Sequence, residues 1–442
     1  MANPLRQDVG AWLGLWAAGT GLLVFAAAGP WIVATRGYGV FIPVLAVSGL
    51  ATLVAAKLAV KLPARTGLIV ILGLALAMRL AVVGEVPLLS TDVYRYVWDG
   101  RVQAAGINPY AFVPADPALL SLRDNAIFAR INRADYAVTI YPPVAQMYFL
   151  AVTRIAETIT MMRLAMVACE IVTVLVIIDL LRRLDRPVTA VVAYAWHPLA
   201  VWEVANNGHV DALMVALLMG GVWLAIRARA LAGAIAIALA TLVKPYAILA
   251  LPAIWRPWDW RVPLIVVATI LLCYLPYLGV GSEVLGFLAG YVSEEGLASG
   301  EGIWLVSLVQ AVFGPVPGLT AAYLAAAAVV MAWLAVRGAL RRDPSPQSVI
   351  RDVTVLLTAG LFLASPNYAW YFLALVPFLA LGAGAPLWAL TLGAVLLYRP
   401  ALLPHNDLAW KTVAILPFLI AWLMTLRHRA PIQEPGASAW RN

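Results

Sequence analysis

Apolar stretches of about twenty residues, the length that crosses a bilayer as a helix, recur along most of this chain with short polar segments between them. The first three lie near residues 11–34, 39–60 and 67–84. The stretch from Ala11 to Ile32 is too long for a signal-peptide core and lacks a cleavage site, so it too reads as a span. Residues 85–140 form the longest polar segment, and an apolar helix over 143–156 follows that is too short to cross. It reads as a half-inserted helix that enters and leaves on one side. Further spans fall at 162–181, from about 188 to Trp196-His197-Pro198, and from the polar run WEVANNGHVD (Trp202 to Asp211) down to Arg227. The stretch Leu231 to Trp255 carries Lys244-Pro245-Tyr246 in its middle, where proline divides one helix into two short ones. A span at 262–280 leads to a second polar segment, 281–302, and the remaining apolar stretches are parted by Arg337–Arg351, SPNYAWYF (Ser365 to Phe372) and YRPALLPHNDLAW (Tyr398 to Trp410). The pattern predicts an all-α polytopic membrane protein of about thirteen transmembrane helices. Residues 1–430 form a single transmembrane domain, and 431–442 a disordered tail.

One polar stretch has a helical period of its own. In STDVYRYVWDGRVQAAGINPY, Ser90 to Tyr110, a Ser or Thr precedes the run and Gly106 with Asn108-Pro109 can end it. Asp92, Arg95, Tyr96, Asp99 and Gln103 share one face of that helix, while Val93, Val97, Trp98 and Val102 lie largely on the other. Such a helix is expected to lie along the outer bilayer surface as the floor of a site, or else as a solvated interfacial helix with incidental ion pairs.

Composition narrows the class. The 442 residues are 63% hydrophobic and 12% charged, about half the charge that soluble domains carry. The net charge of +8 comes without any Lys/Arg run of the kind that binds nucleic acid, so it reads as a marker of cytoplasmic loops. Lys57, Lys61 and Arg65 make the second loop cytoplasmic, which puts both termini inside and 85–140 and 281–302 outside. Segment 85–140 mixes six acids with five arginines among aromatics, which suggests a folded loop. The two cysteines, Cys169 and Cys273, sit within apolar stretches and read as packing residues.

With this topology every unusual polar cluster falls on the outer face, where cytosolic nucleotides cannot reach, so an activated substrate has to arrive on a lipid. The run D-V-Y-R-Y-V-W-D-G-R, then G-I-N-P-Y, Y-P-P, N-G-H-V-D and K-P, resembles bacterial GT-C superfamily membrane glycosyltransferases. It is most similar to polyprenyl-phosphate-mannose-dependent mannosyltransferases and glycosyltransferase family 87, over about residues 85–260. Where relatives often place His-Pro before the late aromatic pair, this chain has Ser365-Pro366-Asn367-Tyr368. The resemblance implies a GT-C-like helix bundle in a bacterial inner membrane. It implies an inverting sugar transfer, mannose first, from a polyprenyl-phosphate donor to a glycolipid, glycan or protein acceptor. It also implies that an outer-loop aspartate, here Asp92, is the base.

The chemistry agrees. Single displacement from a lipid phosphate needs one base for the acceptor hydroxyl and cations for the departing phosphate, but no acid. Lys244, then Arg95 and Arg399, are the expected phosphate ligands. Tyr96, Asp99, Asn108, Tyr110, Tyr141, Glu203, Asn207, His209, Asp211 and Tyr371 are candidates for sugar or acceptor binding. For several of these, plainer roles stand beside the chemical one. Asp92 can be a helix cap, Lys244 an ion-paired structural lysine, Asp99 a partner of Arg95 or Arg101, and Tyr141, Trp370 and Tyr371 belt aromatics. No cofactor and no metal are expected, since His209 and Asp211 lack further ligands at metal spacing. A transporter or flippase is the alternative class. It predicts repeated halves and ionisable residues near the bilayer centre, and no such repeat is visible. A structural assembly partner would leave the clustered charges without a role.

Overall fold

The computed structural model describes residues 4–343, 345–398 and 407–427, which are mostly helical with no strand among them. Helices α1 (Pro4–Arg36), α2 (Tyr38–Ala59) and α3 (Ala64–Val83) match the first three expected spans. Helix α4 (Asp92–Ala104) follows the polar turn, α5 (Pro143–Thr153) is the short apolar helix, and α6 (Ile159–Arg183) is the next full-length one. Eight helices among the described residues are long and apolar enough to cross a membrane, and a bent pair makes a ninth. That is fewer than the about thirteen expected, because several of the expected spans fall to apolar helices of 10–17 residues.

The bent pair, Val188–Ala195 and Ala200–Asn206, turns through 63° at Trp196-His197-Pro198. Pro198 contributes no N–H, and the second half winds as a π-helix, a form that often accompanies functional sites. A broken helix inside a bundle exposes backbone carbonyls that must find donors. Here α3 and α2 provide them. Arg79 donates to the Ala195 carbonyl at 2.5 Å and Thr52 Oγ1 to the Trp196 carbonyl at 2.9 Å. Glu170 of α6 holds Arg79 through both carboxylate oxygens, at 2.5 and 3.1 Å. Helix α1 crosses close by, since a Cβ on Gly29 would lie 2.2 Å from the Trp202 ring.

The second break is the expected one. Helix Ala230–Thr241 ends, Lys244 is extended, and Pro245–Ala250 resumes as a 3₁₀ helix. The freed Leu242 carbonyl accepts from the N–H groups of Val144 and Ala145 at 3.1 and 3.3 Å, which ties the start of α5 to the break.

Helix α4 departs from the sequence expectation. Every residue from Val93 to Gly100 is buried, as is Val102, so protein rather than lipid or water covers most of the helix. Protein covers both faces. Gly100 lets it approach α5, where a Cβ would meet the Phe149 carbonyl at 2.6 Å, and Tyr96 stacks on Phe149 with ring centroids 4.6 Å apart. The period marked the polar side correctly, but Asp99 and Gln103 on that side meet Gln146 of α5.

Candidate active site

A cavity of about 700 Å³ opens above the N-terminus of α4, lined by Asp92, Arg95, Tyr141, Lys244 and Tyr371, together with Asn132 and Arg133. Asp92 is the first residue of α4, and its N–H donates to Ser90 Oγ at 3.2 Å. Its Oδ1 accepts from Asn132 Nδ2 at 2.8 Å and its Oδ2 from the Tyr141 hydroxyl at 3.3 Å. The side chain keeps 16% exposure toward the cavity. Burial pushes the Asp92 carboxyl up, but the neighbouring His209, the Asn132 amide and the charge of Lys244 outweigh it and hold the group well below the usual carboxylate range. Asp92 is therefore an ionised acceptor at neutral pH.

Lys244 faces the cavity from the second break. Its ammonium pairs with Asp211 at 3.2 Å and sits over the rings of Tyr371 and Tyr141, at 5.2 and 5.8 Å from their centroids. Asp211 also accepts from the Tyr246 hydroxyl at 3.2 Å. An ammonium has three donors, so one carboxylate leaves capacity for an anion in the cavity.

Behind this wall His209, Glu203, Asn207 and Asp211 are fully buried. His209 Nδ1 donates to Glu203 Oε2, and its Nε2 lies 3.7 Å from Asp92 Oδ2. Asn207 donates to Glu203 at 3.1 Å and accepts from the Leu89 N–H at 3.0 Å, while Asn206 accepts from the Leu88 N–H at 2.9 Å. The ANNGH stretch thus anchors the chain that leads into Asp92. Gly208, at φ 70° and against Arg163, makes the turn.

Other candidates stand off the cavity. Asp99, 2% exposed, pairs with Arg95 at 2.8 Å and accepts from Thr139 and Gln146 at 2.5 and 2.9 Å, so its oxygens are occupied. Asn108 donates to the Tyr277 carbonyl at 2.9 Å, and Tyr110 to that of Tyr141 at 2.7 Å, so both are spent on backbone. Tyr96 packs edge-on behind Tyr141, with centroids 4.9 Å apart. Arg399 and the tail 431–442 lie outside the described residues.

Sequence reasoning passed over Asn132 and Arg133, which stand in a loop with no period. It also passed over Tyr291, on the helix Leu288–Glu294 that closes one side of the cavity. Arg133 pairs with Glu294 at 2.7 Å and the Tyr291 and Tyr371 hydroxyls are 2.7 Å apart, so this helix is fastened to the site. The Trp370 ring lies between Tyr368, at 4.3 Å, and His209, at 4.4 Å. No group of three metal-ligating His, Cys, Asp or Glu side chains occurs among the described residues.

Residues 8–259, more than half of the chain, match the family described as alpha-(1->6)-mannopyranosyltransferase, N-terminal domain. The chain belongs to this family. It is similar to alpha-(1->6)-mannopyranosyltransferase A of Mycobacterium tuberculosis, 27% identical over 177 residues, which are 40% of this chain and 34% of that relative. The likeness therefore spans about a third of the relative's length. No solved structure matches. The resemblance to GT-C mannosyltransferases stands, and the chain is a multi-pass membrane protein of the mannopyranosyltransferase family. Asp92, Glu203, His209 and Lys244 all fall within the matched residues, whereas Tyr291 and Tyr371 lie beyond them.

Proposed function

We propose that this protein is a membrane mannosyltransferase that moves a sugar from a polyprenyl-phosphate donor to an acceptor hydroxyl, on the extracytoplasmic face of a bacterial inner membrane. The observation that carries the reading is the shared cavity of Asp92 and Lys244, one ionised carboxylate and one ammonium in a partly apolar chamber. Leu88 and Leu89 on one side, and Phe287, Leu288 and Val292 on the other, suit the first isoprene units of a lipid.

The step balances with these groups alone. The acceptor oxygen bonds to the anomeric carbon as the bond from that carbon to the phosphate oxygen breaks, and the configuration inverts. Asp92 takes the hydroxyl proton, which becomes acidic only as its oxygen bonds to carbon, so a weak but ionised base suffices. The leaving phosphate keeps the bonding pair, and Lys244 offsets its charge. Asn132 and Tyr141 keep the carboxylate aimed. Arg95, paired with Asp99, contributes positive potential at the cavity wall.

Purified protein, polyprenyl-phosphate mannose and a hydroxyl acceptor test this. Asp92→Asn keeps the shape and removes the base, and transfer falls by about 10²- to 10⁴-fold with the fold intact. Full transfer by that variant would end the reading. Lys244→Ala is expected to lower kcat and to raise the donor KM, because the ammonium meets the phosphate in both ground and transition states.

A further inference from the structure

Glu203 and His209, behind Asp92, do not line the cavity. Glu203 and His209 are both fully buried. His209 Nδ1 is committed to Glu203, whose backbone carbonyl also accepts the His209 N–H at 2.8 Å. That leaves Nε2, which has no hydrogen-bond partner and points at Asp92 Oδ2 from 3.7 Å. Trp370 covers one face of the imidazole. Buried carboxylates are held by close polar partners, and Glu203 Oε2 meets both His209 Nδ1 and the Asn207 amide.

Resting on the reading of Asp92 as base, we propose that Glu203 and His209 form a buried positioning pair that holds His209 as an imidazolium and, through Nε2–H, sets the charge and aim of Asp92. Asn132 restrains one carboxylate oxygen, while the Tyr141 hydroxyl bonds the other and the imidazolium charge stands beside it, which leaves Asp92 lone pairs for the acceptor. Neither Glu203 nor His209 touches substrate. The arrangement accounts for Asn207 as well, because it spends its amide on Glu203 and its carbonyl oxygen on the chain entering α4.

The pair also gives the site a pH limit. The titratable groups that act on the imidazole are Glu203 of its own stretch and Asp92 of α4, and Asp92 in turn meets Tyr141 and the charge of Lys244, which pairs with Asp211. Burial lowers the His209 pKa, but the charge of Glu203 and the nearness of Asp92 outweigh it and raise the value to about 9. The imidazolium is present below that value and is lost as pH rises through it.

The test is the pH profile of kcat for the full-length enzyme with polyprenyl-phosphate mannose, in wild type, Glu203→Gln, His209→Gln and Asp92→Asn. Wild type is expected to lose activity on an alkaline limb near pH 9. Glu203→Gln moves that limb toward neutrality with the donor KM unchanged. His209→Gln removes the limb. It lowers kcat about tenfold to a hundredfold, less than Asp92→Asn does, because the amide can still donate to Asp92. A limb that stays in place in Glu203→Gln, or an unaltered kcat in His209→Gln, overturns the proposal. Either variant alone decides, so poor folding of one does not spare it. A dead Asp92→Asn beside an unmoved profile in Glu203→Gln leaves the base standing and removes only the pair. A fully active Asp92→Asn removes the base reading itself.

Discussion

Arg79 is the residue on which the first helix break depends. It is 5% exposed and joins the Ala195 carbonyl on one side to Glu170 on the other. Glu170→Ala would leave a guanidinium buried without its counter-charge, and the expected loss is about 3–5 kcal/mol, read as a lower unfolding midpoint in mild detergent. This residue, like Asn132, was not legible in the sequence. An arginine in an apolar helix shows that a partner exists but not which one, and Arg79 meets an acid on α6. Asp92 and Lys244 were legible because each interrupts its surroundings, one at a helix start and the other before a proline. Asp99 shared the polar face of α4, and helical spacing cannot tell a side chain that meets a ligand from one satisfied by Thr139 and Gln146. His209 and Glu203 stood out as polar residues in an apolar region, but their contact with each other depends on the turn at Gly208.

At the scale of elements, α4 carries the largest difference between expectation and structure. Amphipathic periodicity reports which residues share a side, and a bundle of polar partners produces the same signal as water beyond a headgroup layer. The contact with α5 is tight at Gly100, where added atoms would strike the Phe149 carbonyl at 2.6 Å and Thr153 Oγ1 at 2.5 Å. Gly100→Val is expected to cost about 1–3 kcal/mol and to displace Asp92 along with the helix. A thermal melt checks the first part. For the second, kcat should fall more steeply than the stability loss alone accounts for, at a temperature where the variant is fully folded. By contrast the long apolar helices α1, α2, α3 and α6 were read within a few residues of most of their ends, since a soluble fold seldom keeps twenty or more residues so apolar with so few charges among them. Breaks shortened the others and blurred the count.

For the whole molecule, basic residues between helices set the expected orientation in the membrane. With Cys169 and Cys273 replaced, Ala298→Cys should react with a membrane-impermeant maleimide added to intact cells, while Arg342→Cys should react only after the membrane is opened. Both positions are exposed on the protein surface, so the difference reports sidedness. The reverse labelling pattern would place the cavity in the cytosol and remove the argument for a lipid-borne donor. The Arg133–Glu294 pair, about 30% exposed at each side chain, ties the late segment to the early one but adds little stability. Glu294→Gln is therefore expected to leave the melting temperature within a degree or two while it raises the KM for at least one substrate, measured by steady-state transfer.

On the proposed reading, the reacting groups and much of the aromatic cover over them come from separate lengths of chain. Asp92, the 203–211 stretch and Lys244 precede residue 259, whereas Tyr291, Trp370 and Tyr371 follow it. An enzyme divided in this way has its bond-making apparatus under one constraint and its selection of guests under another. Mutation can then rewrite the later portion, and retune what is admitted, without disturbing the carboxylate that every guest must meet.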